Sequence, residues 1–287
     1  MIIRLQAAAA QLQAVWPSLT TSVRSLLAQS RTARAMALSR CLSSFMLILA
    51  VSCLAIAGLP ASSRTQVALV YNGKYASGAA DFEAALVRSG YDVHYFPRVR
   101  DLERIPASTA MIIFPGTDDN AGPFEQFIGD FTARSVESLR GFVQNGGRLL
   151  GVCGGAYLVS RDYRTEYGSG HGLSLLDIAS IAYLADDSPT ILDLQWKGRE
   201  RPIYYQLGPK FLLSAGVQAR VTATYADGSI AACIIRQGMG LYYLVGPHPE
   251  VLVSDLEQAD IPDGSLNRLS DTSDLLDDIL LDLGTKQ

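Results

Sequence analysis

The sequence predicts an α/β fold built on a mostly parallel, doubly wound sheet with a β-rich C-terminal half. Three observations carry this. From residue 65 short apolar runs alternate with stretches of helical spacing, an order that pairs strands in parallel and covers both faces of the sheet. After about residue 185 the alternation gives way to one strand signal after another. The 287 residues are 48% hydrophobic and 18% charged, the balance of a folded globular chain.

Each element has its own reason. TQVALVY (65–71) is a buried first strand, stopped by Asn72-Gly73. GAADFEAALVRSG (78–90) places Phe82, Ala85, Leu86 and Ser89 at helical intervals and ends on Gly90. YDVHYF (91–96) and AMIIF (110–114) are the second and third strands, the latter ending in Pro115-Gly116. ARSVESLRGFVQNGG (133–147) is a helix with Val136, Leu139 and Phe142 on one face, closed by Asn145-Gly146-Gly147. RLLGV (148–152) is the fourth strand and runs straight into Cys153. The later strands are TILDLQW (190–196), RPIYYQL (201–207), ARVTATY (219–225), SIAACIIRQ (229–237) and GLYYLVG (240–246). Ala226-Asp227-Gly228 is a hairpin turn, and DTSDLLDDILLDLG (271–284) a terminal amphipathic helix. No internal repeat is visible, and residues 64–287 fit one domain.

Residues 1–63 read as a basic leader. Up to residue 64 there is no Asp, Glu or Lys, and the only charges are Arg4, Arg24, Arg31, Arg34, Arg40 and Arg64. Residues 41–63 are uncharged, with the apolar run FMLILAV (45–51), Ala55 and Ala57 at A-x-A spacing, and Pro60. That is the order of a signal peptide, with Met36 a candidate start, or of a retained membrane anchor. Either reading exports the body or holds it across the membrane; Arg-rich, acid-free composition also describes a mitochondrial-type presequence. Taking those six arginines from the 24 basic residues leaves 18 against 28 acidic ones, a net charge of about −10. An acidic body without basic clusters argues against nucleic acid as a partner. Contact with a membrane is expected only through the N-terminal segment.

The chemistry concentrates at LLGVCGGAYLVS (149–160). Ligand sites in open α/β sheets lie beyond the carboxyl ends of strands, and Gly151-x-Cys153-x-Gly155 has the form of a nucleophile elbow. There the sulfur meets a helix N-terminus, and the N–H of Gly154 is placed to donate to a developing oxyanion. Of the three histidines, His94 lies inside a strand and His171 in a glycine-rich loop. His248 follows a late apolar strand in GPHPE, with Glu250 two residues on and so on the same side of extended chain. A carboxylate behind an imidazole orients it and stabilises its protonated form. Lys74, Asp118 and Tyr157 are candidate pocket residues. Cys233, in IAACII, reads as a buried strand residue.

G-x-C-x-G after a fourth strand, with His-Pro-Glu after a late one, resembles class I glutamine amidotransferase-like domains. VYNG (70–73), GYDV (90–93), FPG (114–116), GGRLLGVCGGAY (146–157) and YYQLGP (204–209) resemble most closely the amidotransferase-like domain at the N-terminus of some biotin-protein ligases, which also exists alone. The resemblance covers roughly residues 65 to 250 and implies a flavodoxin-like sheet and a catalytic triad of Cys153, His248 and Glu250. It further implies a backbone oxyanion donor at Gly116. The ligase catalytic domain has no counterpart here, so biotinylation is not inferred. Tyr157 stands where glutaminases of this class carry Gln, and Gly116-Thr117 replaces their Gly-Gly pair, which argues against glutamine as substrate.

Two functional readings follow. The first is a cysteine-nucleophile hydrolase or amidotransferase-like enzyme acting on an amide or γ-glutamyl-type bond of a small molecule or peptide. The alternative is a non-catalytic binding or scaffold module that keeps the fold. Scattered histidines and unpaired cysteines imply no metal, and no cofactor motif is present. Oligomeric state is not legible.

Overall fold

The computed structural model describes residues 66–251 and 273–284, with Leu256 and Leu269. The leader reading of residues 1–63 lies outside the described residues, among which no helix is long and apolar enough to cross a membrane.

The first half follows the expected alternation. β1 (Gln66–Tyr71) is followed by a two-residue strand, β2 (Ala76–Ser77), a 3-10 turn at Ala79–Phe82 and α1 (Glu83–Arg88). The helix expected over 78–90 is therefore split. Gly78, at φ 69°, opens it without a side-chain cap and the first turn winds as 3-10. Next come β3 (Tyr91–Phe96), a 3-10 helix at Val99–Arg104, β4 (Thr109–Phe114) and β5 (Gly116–Thr117). Then α2 (Phe124–Gly129), α3 (Ala133–Gln144) and β6 (Arg148–Val152) lead to α4 (Gly154–Val159), which starts directly after Cys153. Thr132 caps α3 by accepting from the Ser135 N–H at 3.1 Å.

The second half is strand from residue 160, earlier than the sequence indicates. β7 (Ser160–Thr165), β8 (Gly168–His171) and β9 (Leu176–Ala182) precede the strand expected at 190. β7 and β8 form the far edge of the sheet with charged residues and glycines, so backbone pairing holds them without an apolar period to read. His171 thus ends a strand rather than lying in a loop. β10 (Thr190–Trp196), β11 (Arg199–Tyr205), β12 (Pro209–Leu213), β13 (Ala219–Thr224), β14 (Ile230–Gln237) and β15 (Gly240–Val245) follow. The β13–β14 turn is the expected one, with Gly228 at φ 81°. The last described element is α5 (Ser273–Gly284).

These strands form a 13-stranded mixed sheet whose main path is β3-β1-β4-β6-β15-β14-β12-β9-β7-β8. The first five strands on that path run parallel. Beyond them the pairing is antiparallel, apart from β7 on β9. Alternate residues feed two cores. Val70, Leu150, Tyr243 and Val245 meet Leu86 of α1 and Leu275, Ile279 and Leu283 of α5 on one face. Tyr71, Leu149, Tyr242 and Leu244 meet Leu139 and Val143 of α3 on the other. β15 is buried at every position because it is central and covered on both faces.

This topology makes the site. β15 lies beside β6 in parallel register, Val245 opposite Val152. The chain ends that leave these two strands therefore open at the same edge of the sheet.

Candidate active site

Cys153 sits one residue past β6 at φ 47° and ψ −108°, a conformation that L residues rarely adopt and that costs on the order of 1–3 kcal/mol. Several contacts impose it. Its N–H donates to Val245 O at 2.9 Å, the Gly155 N–H to Pro115 O at 3.0 Å, and the Ala156 and Tyr157 N–H groups to Cys153 O. A Cβ on Gly155 would lie 2.0 Å from Phe114 O, so the elbow packs on the end of β4 only with glycine there. The Gly154 N–H takes part in none of these bonds. The Cys153 side chain is nearly buried, at 8% exposure. Its thiol faces the carbonyl oxygen of Gln206 at 3.5 Å.

His248 leaves the end of the neighbouring strand. Its N–H donates to Tyr204 O at 3.0 Å, and its Nδ1 lies 2.8 Å from Glu250 Oε1. With Nδ1 engaged by the carboxylate, Nε2 is the ring nitrogen left for Cys153. Burial by itself would lower the imidazole pKa. The charge of the Cys153 sulfur, that of Glu250 and hydrogen bonds to both outweigh it, and the His248 pKa stands well above its ordinary 6.5. The Glu250 side chain is 1% exposed. Gly116 clears space for this ring: a Cβ there would come within 2.8 Å of His248 Cε1 and 3.9 Å of Cys153 Cβ. Gly116 is also paired with Ser77 in the β2–β5 ribbon.

A cleft of about 850 Å³ opens over this group and includes Cys153, Gly154, Tyr157, His248 and Glu250 in its wall. Cys153, His248, Glu250, Gly116 and Gly154 are thus brought together. Tyr157 stands behind them, 4% exposed. Its hydroxyl donates to Leu207 O at 2.8 Å, and burial, then the Cys153 charge, pushes its pKa far up. Asp118 lines the cleft and accepts from the Asn120 N–H at 2.9 Å. Lys74 does not line it; its Nζ lies 4.5 Å from the Tyr75 ring centre. His94 pairs with Asp92 and His171 with Asp162, both on the exposed surface.

Three contributors were not assigned roles by sequence reasoning. Gln206 offers its carbonyl to the sulfur, Leu207 anchors Tyr157 from φ 51°, and Tyr204 holds the backbone of His248. Their only signal is the conspicuous YYQLGP segment, because all three contacts run through backbone oxygens that no side-chain pattern encodes. Among the described residues no cluster of His, Cys, Asp and Glu could hold a metal ion.

Fold and site together define a class: an α/β protein with a cysteine elbow and a His–Glu pair on the ends of adjacent parallel strands. Over residues 68–177 the chain matches the family described as "Biotin-protein ligase, N terminal", which bears out the resemblance read from the elbow and its landmarks. That match includes Gly116, Cys153, Gly154 and Tyr157 and stops short of His248 and Glu250. Cobyric acid synthases from Rhizobium leguminosarum bv. trifolii and Rhizobium etli are 31% and 30% identical over 105 and 109 residues. Each alignment takes in 34% of this chain, which spans only 18% and 19% of the two enzymes. Among solved structures, PurLQS and a glutamine amidotransferase, both from Thermotoga maritima, superpose with TM-scores of 0.49 at 17% and 13% identity. They cover 76% of this chain and 99% and 94% of their own.

Proposed function

We propose that the cleft is the active site of an amidotransferase-like cysteine hydrolase acting on an amide or γ-glutamyl-type bond. The observation that carries this reading is the line Cys153–His248–Glu250, with the cysteine held in a strained turn. In the proposed reaction Cys153 Sγ attacks the carbonyl carbon and its proton passes to His248. Glu250 orients the ring and stabilises the imidazolium. The Gly154 N–H, with that of Gly116, receives the developing oxyanion. The amine leaves with the proton held by His248. A water deprotonated by the same ring then cleaves the thioester, and the proton returns to the sulfur.

One observation favours the second reading, a binding module of the biotin-protein ligase N-terminal type. Tyr157 is tied to Leu207 in the place where glutaminases of the resembled class carry Gln. Labelling with an electrophilic amide analogue separates the two. The hydrolase reading expects adduct on Cys153 in the wild type, none in Cys153→Ala and at least about tenfold slower labelling in His248→Ala. Absence of wild-type labelling, or labelling that persists in Cys153→Ala, supports the binding module. Export through the leader remains part of this proposal and is tested by sequencing the N-terminus of the mature protein.

A further inference from the structure

We propose that the side-chain hydroxyl of Thr117 is a further oxyanion donor, a catalytic group beside the backbone N–H groups of Gly154 and Gly116. This deepens the reading of Cys153 as a nucleophile and rests on it. The short strand β5 carries the argument. It is pinned to β2 by the pairing of Gly116 with Ser77 and of Thr117 with Ala76, and the Asp118 N–H donates to Tyr75 O at 2.9 Å. Neighbouring residues of a strand face opposite ways. Gly116 turns its bare Cα toward the imidazole, since a Cβ there would meet His248 Cε1 at 2.8 Å. Thr117 turns its side chain the other way, onto the elbow. A Cβ on Gly154 would lie 2.3 Å from Thr117 Oγ1 and 2.4 Å from its Cγ2, so the threonine fills the space that a side chain at residue 154 would take.

The elbow side of β5 is where an oxyanion forms. When Sγ attacks a carbonyl, the π pair moves to the oxygen. The leaving group must reach the imidazole, so the oxygen points away from His248 and toward the Gly154 N–H. A hydroxyl seated against Gly154 stands beside that position. Thr117 is half-buried and lines the cleft. Its Oγ1 makes no hydrogen bond among the described residues, which leaves its proton free to donate. Branching at Cβ restricts the side chain to few rotamers, and the fit of Oγ1 and Cγ2 around Gly154 fixes it further, so the donor needs little reorganisation during the reaction. The hydroxyl keeps its proton throughout. It shortens its hydrogen bond as negative charge builds on the oxygen and relaxes when the carbonyl re-forms.

The test compares two reagents on the full chain. p-Nitrophenyl acetate acylates the sulfur through a tetrahedral oxyanion: Sγ bonds to the carbonyl carbon, the thiol proton passes to His248 and p-nitrophenolate leaves. Iodoacetamide alkylates the same sulfur with loss of iodide and forms no oxyanion. Thr117→Val keeps a branched side chain over Gly154 and removes the hydroxyl, whereas Thr117→Ser keeps the hydroxyl. Thr117→Val is expected to acylate at Cys153 at least about tenfold more slowly than the wild type and to alkylate at the wild-type rate. Thr117→Ser should recover most of the acylation. Equal acylation of the wild type and Thr117→Val would overturn the proposal. So would an equal loss with both reagents, which reports a disturbed nucleophile rather than a missing donor. Peptide mass mapping of the wild type keeps the two failures apart. An acetyl group on Cys153 that forms as fast in Thr117→Val removes the threonine and leaves the nucleophile. A wild type that gains no acetyl group on Cys153 removes both.

Discussion

The protein carries the same side chain in two regions of one sheet, and the contrast between them separates burial from reactivity. Cys233 lies in the middle of β14, fully buried, and burial pushes its thiol pKa up to about 12. Cys153 lies one residue beyond β6, also nearly buried, but at a positive φ and in the wall of the cleft that His248 also lines. Both are free thiols, and they belong to opposite cores. Mid-strand, neighbours are apolar side chains and paired backbone, so a thiol there is only volume. At the strand end the chain turns, N–H groups go unused, and loops bring polar partners. On the proposed reading, position along the strand decides which cysteine serves as the nucleophile.

The largest expected effect tests that contrast directly. Iodoacetamide at neutral pH should modify Cys153 at least about a hundredfold faster than Cys233, as read by peptide mass mapping. Comparable rates in the folded protein would erase the distinction. In denaturant both cysteines should react alike.

The second prediction removes the geometry that makes the strand end special. Gly155→Ala drives a Cβ into Phe114 O, and the elbow must move or unfold. We expect a loss of roughly 2–4 kcal/mol in urea unfolding and slower Cys153 labelling. An alanine at residue 231 or 232 of β14 is native, which shows that the mid-strand region makes no such demand.

The smallest effect sharpens the electrostatic side of the contrast. Glu250→Gln keeps a hydrogen-bonding oxygen near Nδ1 but removes its charge. The imidazole titration of His248, followed by NMR, should move down toward 6.5. A raised imidazole pKa means that the folded state holds the proton more tightly than the unfolded chain. Its stabilisation is fully present below the unfolded value and is lost as pH rises through the folded one. The melting deficit of Glu250→Gln should therefore be larger at pH 6 than at high pH. A deficit that grows with pH would show that the carboxylate does not act through the imidazolium.

Much of the first half was legible because parallel strands buried on both faces read as unbroken apolar runs, as in VALVY and RLLGV. The elbow was legible for a related reason: glycines are visible wherever backbones must touch. Strands β7 and β8 were not, since edge pairing requires no apolar pattern. The split of the first helix at Gly78 was equally silent, being settled by backbone angles rather than side chains.

The sequence by itself determined the alternation of strand and helix up to β6 and the two chemical fragments, the cysteine elbow and the His-Pro-Glu turn. Only the tertiary structure decided that β15, some ninety residues after β6 in the chain, inserts beside it in parallel. It also decided that Gln206, Leu207 and Tyr204 supply backbone oxygens to the site. The physical reason is that periodicity reports which face of a strand is buried, whereas the choice of neighbouring strand depends on the packing of the whole sheet. That choice, more than any single residue, puts His248 and Glu250 beside Cys153.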